Sequence, residues 1–185
     1  MRPLSSGAVL LMAAAFLGGF ILLAGEVIWL RLILLFVYGT SLVFALMLAV
    51  VLGGIALGGF VASLWLKRRP NDYFWVSIIA SIAACVLVLT FSHFDSAALQ
   101  YKWTETSQFK VLFPLIFVIV FPTSFLSGIL FTLLGSFIKY IFVAPAKSAG
   151  CLTLANTLGG MFGAFIAGFV LLPYVGIEES IFILS

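Results

Sequence analysis

Apolar residues run along this chain in long unbroken blocks, separated by short polar breaks. A helix needs roughly 20 mostly apolar residues to cross a hydrocarbon layer of about 30 Å. Five blocks meet that requirement: Ser6 to Val37, Ser41 to Leu66, Tyr73 to Phe91, Val111 to Ile138 and Ala149 to Pro173. A sixth begins near Ser180 and reaches Ser185. The blocks lack the alternation over about ten residues that marks a membrane β-barrel. The pattern therefore predicts an all-α, polytopic transmembrane helix bundle, with five complete spans and the start of a sixth, and a single membrane domain over residues 1–185.

The first block imitates a secretory leader, with Arg2, an apolar stretch and the small triplet Ala13-Ala14-Ala15. Its apolar character continues past Ala15 for a full membrane thickness, whereas a leader's apolar region is short, so it reads as the first span. The block is also too long: as one helix it would reach about 48 Å at 1.5 Å per residue. Either it tilts steeply, or it breaks after Gly25 and continues along the outer interface. Glu26 and Arg31 favour the break, since both would then lie near the edge of the bilayer.

Composition narrows the class. The chain is 64% hydrophobic and 8% charged, against about 45–50% and about 25% in soluble domains. This excludes a soluble globular fold and a disordered one, and makes the lipid bilayer the principal partner. A net charge of +3, scattered over loops, is no nucleic-acid footprint. Cys85 and Cys151 lie far apart inside apolar blocks and His93 is the single histidine, so no disulfide, metal or cofactor is expected. With the N-terminus cytoplasmic, the inner segments hold Arg2, Lys67, Arg68, Arg69, Lys139 and Lys147, and the outer ones only Lys102 and Lys110. The positive-inside rule thus orients the chain, as a multi-pass protein of the cell membrane, or of the inner membrane in a bacterium. The outer segment Ser92 to Phe109 is the largest loop and carries Tyr101 and Trp103, which suit a membrane interface.

The second block carries two stripes of small residues: Ala45, Ala49, Gly53, Ala56, Gly59 and Ser63, and beside them Gly54, Gly58 and Ala62. The fifth repeats the theme with Asn156, Gly160, Gly163, Ala164, Ala167 and Gly168, and Gly159 beside them is a further packing candidate. Such stripes let helix backbones approach closely in lipid; a sliding or gating pair is the functional alternative. Asn156 is the only amide within a span and needs a partner, either another helix or a substrate or ion. Glu26 and Arg31 are the only charged residues within the apolar blocks. They stand five apart, so on a straight helix they point about 140° away from each other and do not pair. Each is a candidate for a substrate contact or for a structural ion pair with another element. Pro122 interrupts the fourth block and should kink it, with Gly128 as a hinge or packing point. Pro173 to Gly176 reads as a turn. No catalytic constellation is present.

Several segments resemble the membrane domain of the spermidine synthase-like (polyamine aminopropyltransferase) family. Gly25-Glu26-Val27-Ile28-Trp29-Leu30-Arg31-Leu32 is similar to its Glu-x-x-Trp-x-Arg signature, with Gly39-Thr40-Ser41 following. Leu52 to Gly59, closed by Lys67-Arg68-Arg69-Pro70, resembles the family's second span, and Phe121-Pro122-Thr123-Ser124-Phe125-Leu126-Ser127-Gly128 its fourth. Leu154-Ala155-Asn156-Thr157-Leu158-Gly159-Gly160, with Leu171-Leu172-Pro173, resembles its fifth. The resemblance implies a multi-span domain placed before a cytoplasmic aminopropyltransferase-like domain, of which these residues contain none. The chain is then expected to be a fragment or a shortened relative, with no catalytic residue of its own. Glu26, Trp29, Arg31, Pro122, Gly128 and Asn156 match membrane-domain positions.

Three functions compete. The chain is an anchor and small-substrate passage for such an enzyme, half of a major-facilitator-like transporter, or a scaffold subunit without chemistry. The second requires a missing C-terminal half or a homo-oligomer, and its loop pattern departs from that superfamily, because Ser63 stands where an Asp would follow Gly59. The first and third allow neighbouring membrane helices as partners.

Overall fold

The computed structural model describes residues 6–35, 40–68, 74–92, 105–139 and 145–185. Expectations placed on Arg2, Gly39, Arg69, His93, Tyr101, Lys102 and Trp103 lie outside these residues. The described chain is helical from end to end: α1 (Ser6–Leu34), α2 (Thr40–Arg68), α3 (Phe74–Ser92), α4 (Glu105–Ile138), α5 (Pro145–Ile166), a π-helical stretch (Ala167–Leu171), α6 (Leu172–Tyr174) and α7 (Ile177–Leu184). A helix satisfies its backbone polar groups within itself, which hydrocarbon demands. The helices are apolar all round: Leu10, Phe60, Val118 and Phe169 are among many large exposed apolar side chains. Such a surface is stable against lipid and not against water.

Among the described residues four helices are long and apolar enough to cross a membrane: Ser6–Leu34, Ser41–Arg68, Leu112–Ile138 and Ala146–Tyr174. The third predicted span is shorter, with an apolar stretch over Trp75–Thr90. Boundaries differ elsewhere too. α4 starts at Glu105, so the end of the expected loop is already helical. α5 starts at Pro145, where proline suits a first helical turn because its missing N–H would have no partner there.

The expected break in the first block does not occur. α1 is one helix of 29 residues, about 43 Å long. Beyond Gly25 its side chains Ile28, Trp29, Leu32 and Ile33 are buried in the main core cluster. Packing on the other helices holds this end of α1 within the bundle.

Two close helix pairs organise the molecule, α1 with α5 and α2 with α4; α3 leans on α4. In the first pair a methyl group at Gly159 would land on the Phe16 carbonyl, and one at Gly163 on the Phe20 carbonyl; Gly168 faces Val27. In the second pair Gly54 faces Ser124, Gly58 faces the Phe125 carbonyl and Gly59 faces Thr132. Gly128 faces the Ile55 carbonyl. In both pairs residue numbers rise together, so α1 runs parallel to α5 and α2 parallel to α4. Backbones this close gain dispersion and weak Cα–H···O contacts, the main sources of attraction between helices in lipid.

Of the two small-residue stripes on α2, Gly54, Gly58 and Ala62 are buried, while Ala45, Ala49, Gly53 and Ala56 are exposed. Gly53 has nothing within reach of a methyl group, so it is no packing residue: it stands about 100° round the helix from Gly54 and faces lipid.

Both prolines of α4 lie within an unbroken helix. Pro122 cannot donate to the Val118 carbonyl. Near it Ser124 Oγ donates to the Val120 carbonyl at 2.9 Å, and further along Thr132 Oγ1 donates to the Gly128 carbonyl at 2.9 Å. Hydroxyls turned back onto their own helix in this way hide polar atoms from lipid. At the far end of α5 the Leu172 N–H donates to the Ala167 carbonyl five residues back. This wider turn comes just before Pro173, which has no N–H to offer. The predicted turn follows: Val175 and Gly176 N–H both donate to the Leu171 carbonyl. Gly176 has φ 91° and ψ 176°, a conformation that is essentially glycine-only. α7 begins directly after it, three residues ahead of the expected start.

Candidate functional site

The unusual chemistry of the bundle gathers on one level, where α1, α3 and α4 meet. α1 supplies Leu22, Gly25, Glu26 and Trp29, α3 supplies Leu87, and α4 supplies Val120, Thr123 and Ser124. Together they enclose a cavity of about 10 Å³, the space for roughly one water-sized centre. Glu26 and Trp29 are three apart and so share this face of α1. Arg31 is exposed, in the last turn of α1, where a positive charge favours the negative end of the helix dipole. Among the described residues Glu26 and Arg31 form no ion pair with each other or with a third residue.

Two polar atoms at this level are buried and have no hydrogen-bond partner among the described residues: Glu26 Oε1 and Thr123 Oγ1. The contrast with Ser124 is informative. Its hydroxyl is fully buried too, but it is satisfied by the Val120 carbonyl. A buried, unmatched hydroxyl costs about 1–3 kcal/mol and a carboxylate more.

Depth makes the cost larger. Glu26 stands about 9 Å beyond the midpoint of α1 and Arg31 about 17 Å. The hydrocarbon half-thickness is about 15 Å. On a centred helix, Arg31 would reach the interface and Glu26 would lie about 6 Å short of it, in the outer half of the hydrocarbon.

The small cavity adjoins a larger one. Leu22, Leu87 and Thr123 also line a crevice of about 430 Å³ between α1, α3 and α4. Its α1 and α3 walls are built largely from small residues such as Gly18, Ala80 and Ala84, and Ser81 and Ser127 add hydroxyls. The crevice gives the Glu26 level an apolar approach with sparse polar points, the usual character of a small-molecule site.

The other sequence candidates lie elsewhere. Asn156 packs on α1 about two turns before Glu26, roughly 10 Å along the axis, where its carbonyl and Oδ1 press on Gly19; a methyl group there would come within 2.9 Å of Oδ1. It belongs to the α1–α5 contact and not to the Glu26 level. Gly128 packs on α2, and Pro122 immediately precedes Thr123. Gly160 faces Leu23, at 3.1 Å from a methyl placed on it. Among the described residues no three His, Cys, Asp or Glu side chains group to hold a metal. Thr123 and Ser124 carried no role from sequence; their position beside an interior proline was the one signal. Compared with family models, curated proteins and solved structures, the chain matches none.

Proposed function

We propose that this chain is the membrane domain of a spermidine synthase-like protein, and that Glu26 receives the cationic end of a small amphipathic substrate such as a polyamine. The observation that carries the reading is the pair of buried, unmatched acceptors, Glu26 Oε1 and Thr123 Oγ1, facing one cavity. An ammonium group supplies three donors and a positive charge, which answers both atoms at once. Its methylene chain suits the apolar crevice beyond. Charged residues inside a membrane domain commonly mark a substrate or ion path. Aminopropyl transfer itself would belong to a soluble domain outside these residues.

Five crossings with a cytoplasmic N-terminus fit the same picture. α2 and α4 run parallel, so α3 must return the chain across the bilayer between them. At 19 residues α3 spans about 28 Å, close to the hydrocarbon thickness. Lys67, Arg68, Lys139 and Lys147 then share one end of the bundle, and Arg31, Lys110, Glu178 and Glu179 the other. That asymmetry supports the basic end facing the cytoplasm of a cell membrane. Neither a half-transporter nor a scaffold has an observation of its own in its favour.

The test is spermidine binding to the purified chain in lipid nanodiscs. Glu26→Gln should weaken binding about tenfold to a hundredfold, the range for a hydrogen bond to a charged group. Arg31→Gln should leave it unchanged. Equal binding by Glu26→Gln and the parent chain overturns the proposal.

A further inference from the structure

The basic end of the bundle holds a third cavity, apart from the Glu26 level. There α2 and α5 stand on either side of α4 and barely meet each other, leaving a groove of about 510 Å³. α4 forms its floor with Phe131, Thr132, Gly135 and Ser136, and Lys139 follows directly after its last residue. Lys67 stands on the α2 wall, and Ala149 and Leu152 on the α5 wall.

The charge in this groove is of one sign. Lys67 and Lys139 line it and no carboxylate does; among the described residues neither lysine has an ion-pair partner. The hydroxyls of the floor are already satisfied. Thr132 donates to the Gly128 carbonyl at 2.9 Å and Ser136 to the Leu133 carbonyl at 2.7 Å. They keep lone pairs on the groove side and can swing to donate. Phe131, Leu152, Leu66 and Ala149 supply apolar surface away from the lysines, and Ser63, Ser148 and Thr153 place further hydroxyl residues among them.

We infer that this groove is a binding site for an anionic phospholipid. Its phosphate sits between Lys67 and Lys139, and an acyl chain lies along Phe131 and Leu152. A free phosphate ion would engage the lysines and leave the apolar walls unused. A zwitterionic lipid would use the walls, but its headgroup cation would face two like charges. An anionic amphiphile matches both features, and basic pockets between membrane helices recognise such headgroups. The groove lies at the end of the bundle where Arg68 and Lys147 are also exposed, so the long-range field there attracts anionic lipid.

The experiment uses the whole chain, delipidated in detergent and titrated separately with short-chain phosphatidylglycerol, phosphatidylcholine and inorganic phosphate. Melting temperature and native mass spectrometry are the readouts. Phosphatidylglycerol should raise the melting temperature and give a one-to-one adduct, and the other two should do neither at equal concentration. Lys67→Gln with Lys139→Gln should weaken the adduct about thirtyfold, roughly fivefold per lysine near the membrane surface. Lys67→Arg with Lys139→Arg should retain it. Ala149→Trp, which fills the groove and leaves both lysines in place, should lose it; this variant decides the matter if the double glutamine variant does not fold. The inference is overturned if phosphatidylcholine or phosphate stabilises as well as phosphatidylglycerol. It is equally overturned if Ala149→Trp binds like the parent chain, since the charge of the surface would then suffice.

Discussion

A methyl group at Gly58 would land on the Phe125 carbonyl and one at Gly163 on the Phe20 carbonyl, whereas one at Gly53 meets nothing. Gly58→Ala and Gly163→Ala must each push two backbones apart, and each should cost about 1–3 kcal/mol, the usual penalty of overpacking. Gly53→Ala should be neutral or slightly stabilising, because alanine is the better helix former and the site is open. Thermal unfolding in detergent separates the three. Thr123 offers a second contrast. Thr123→Val removes a buried hydroxyl that has no hydrogen-bond partner among the described residues, so it should raise stability by about 1 kcal/mol. If Thr123 serves the substrate, the same change weakens spermidine binding. Gain in stability with loss of binding is the signature of a functional residue, as distinct from a packing one. Sequence pointed to Glu26 because a charge inside an apolar block is visible from composition. It could not point to Thr123, since a threonine in a membrane helix ordinarily bonds to its own backbone, and only the packed structure shows that this one does not.

At the scale of the helix, α1 carries the most consequential departure from expectation. The charges at Glu26 and Arg31 argued for a break at Gly25, yet the helix continues and buries Ile28, Trp29, Leu32 and Ile33. A glycine at a true break would adopt a conformation other residues resist. A glycine within a helix is merely a weak helix former. Near Gly25 the closest atom to an added methyl group is Leu87 Cδ1, at 3.9 Å, an ordinary contact. Gly25→Ala should therefore hold or raise the melting temperature, by up to about 1 kcal/mol in stability, and a marked loss would restore the break. Helix existence was legible for every block, because the apolar length requirement is local. Helix ends were less so: the turn at Gly176 was visible from Pro173 and Gly176, whereas the early start of α4 at Glu105 lies in polar sequence with no periodic apolar signal.

For the molecule as a whole, the parallel registers of α1 with α5 and of α2 with α4 predict sidedness. In oriented vesicles carrying variants without Cys85 and Cys151, an impermeant thiol reagent should label Lys147→Cys from the cytoplasmic face and Lys110→Cys from the other. Labelling from one face would remove the five-crossing arrangement. The amino-acid sequence by itself determined that this protein is helical and solvated by lipid. Those properties follow from residue-by-residue transfer costs and from the need to satisfy each backbone group, terms that add up along a segment without knowledge of its neighbours. It also marked the small-residue stripes and the lone carboxylate. Tertiary structure alone decided which stripe of α2 turns inward, which helices pair, and that Glu26 and Thr123 line one cavity while Asn156 packs two turns away and Arg31 is exposed. The reason is that lipid and a neighbouring helix are almost equally apolar, so no polarity contrast tells an inward face from an outward one. The choice rests on the axial shift and rotation of helices far apart in sequence, and close backbone fit sets both.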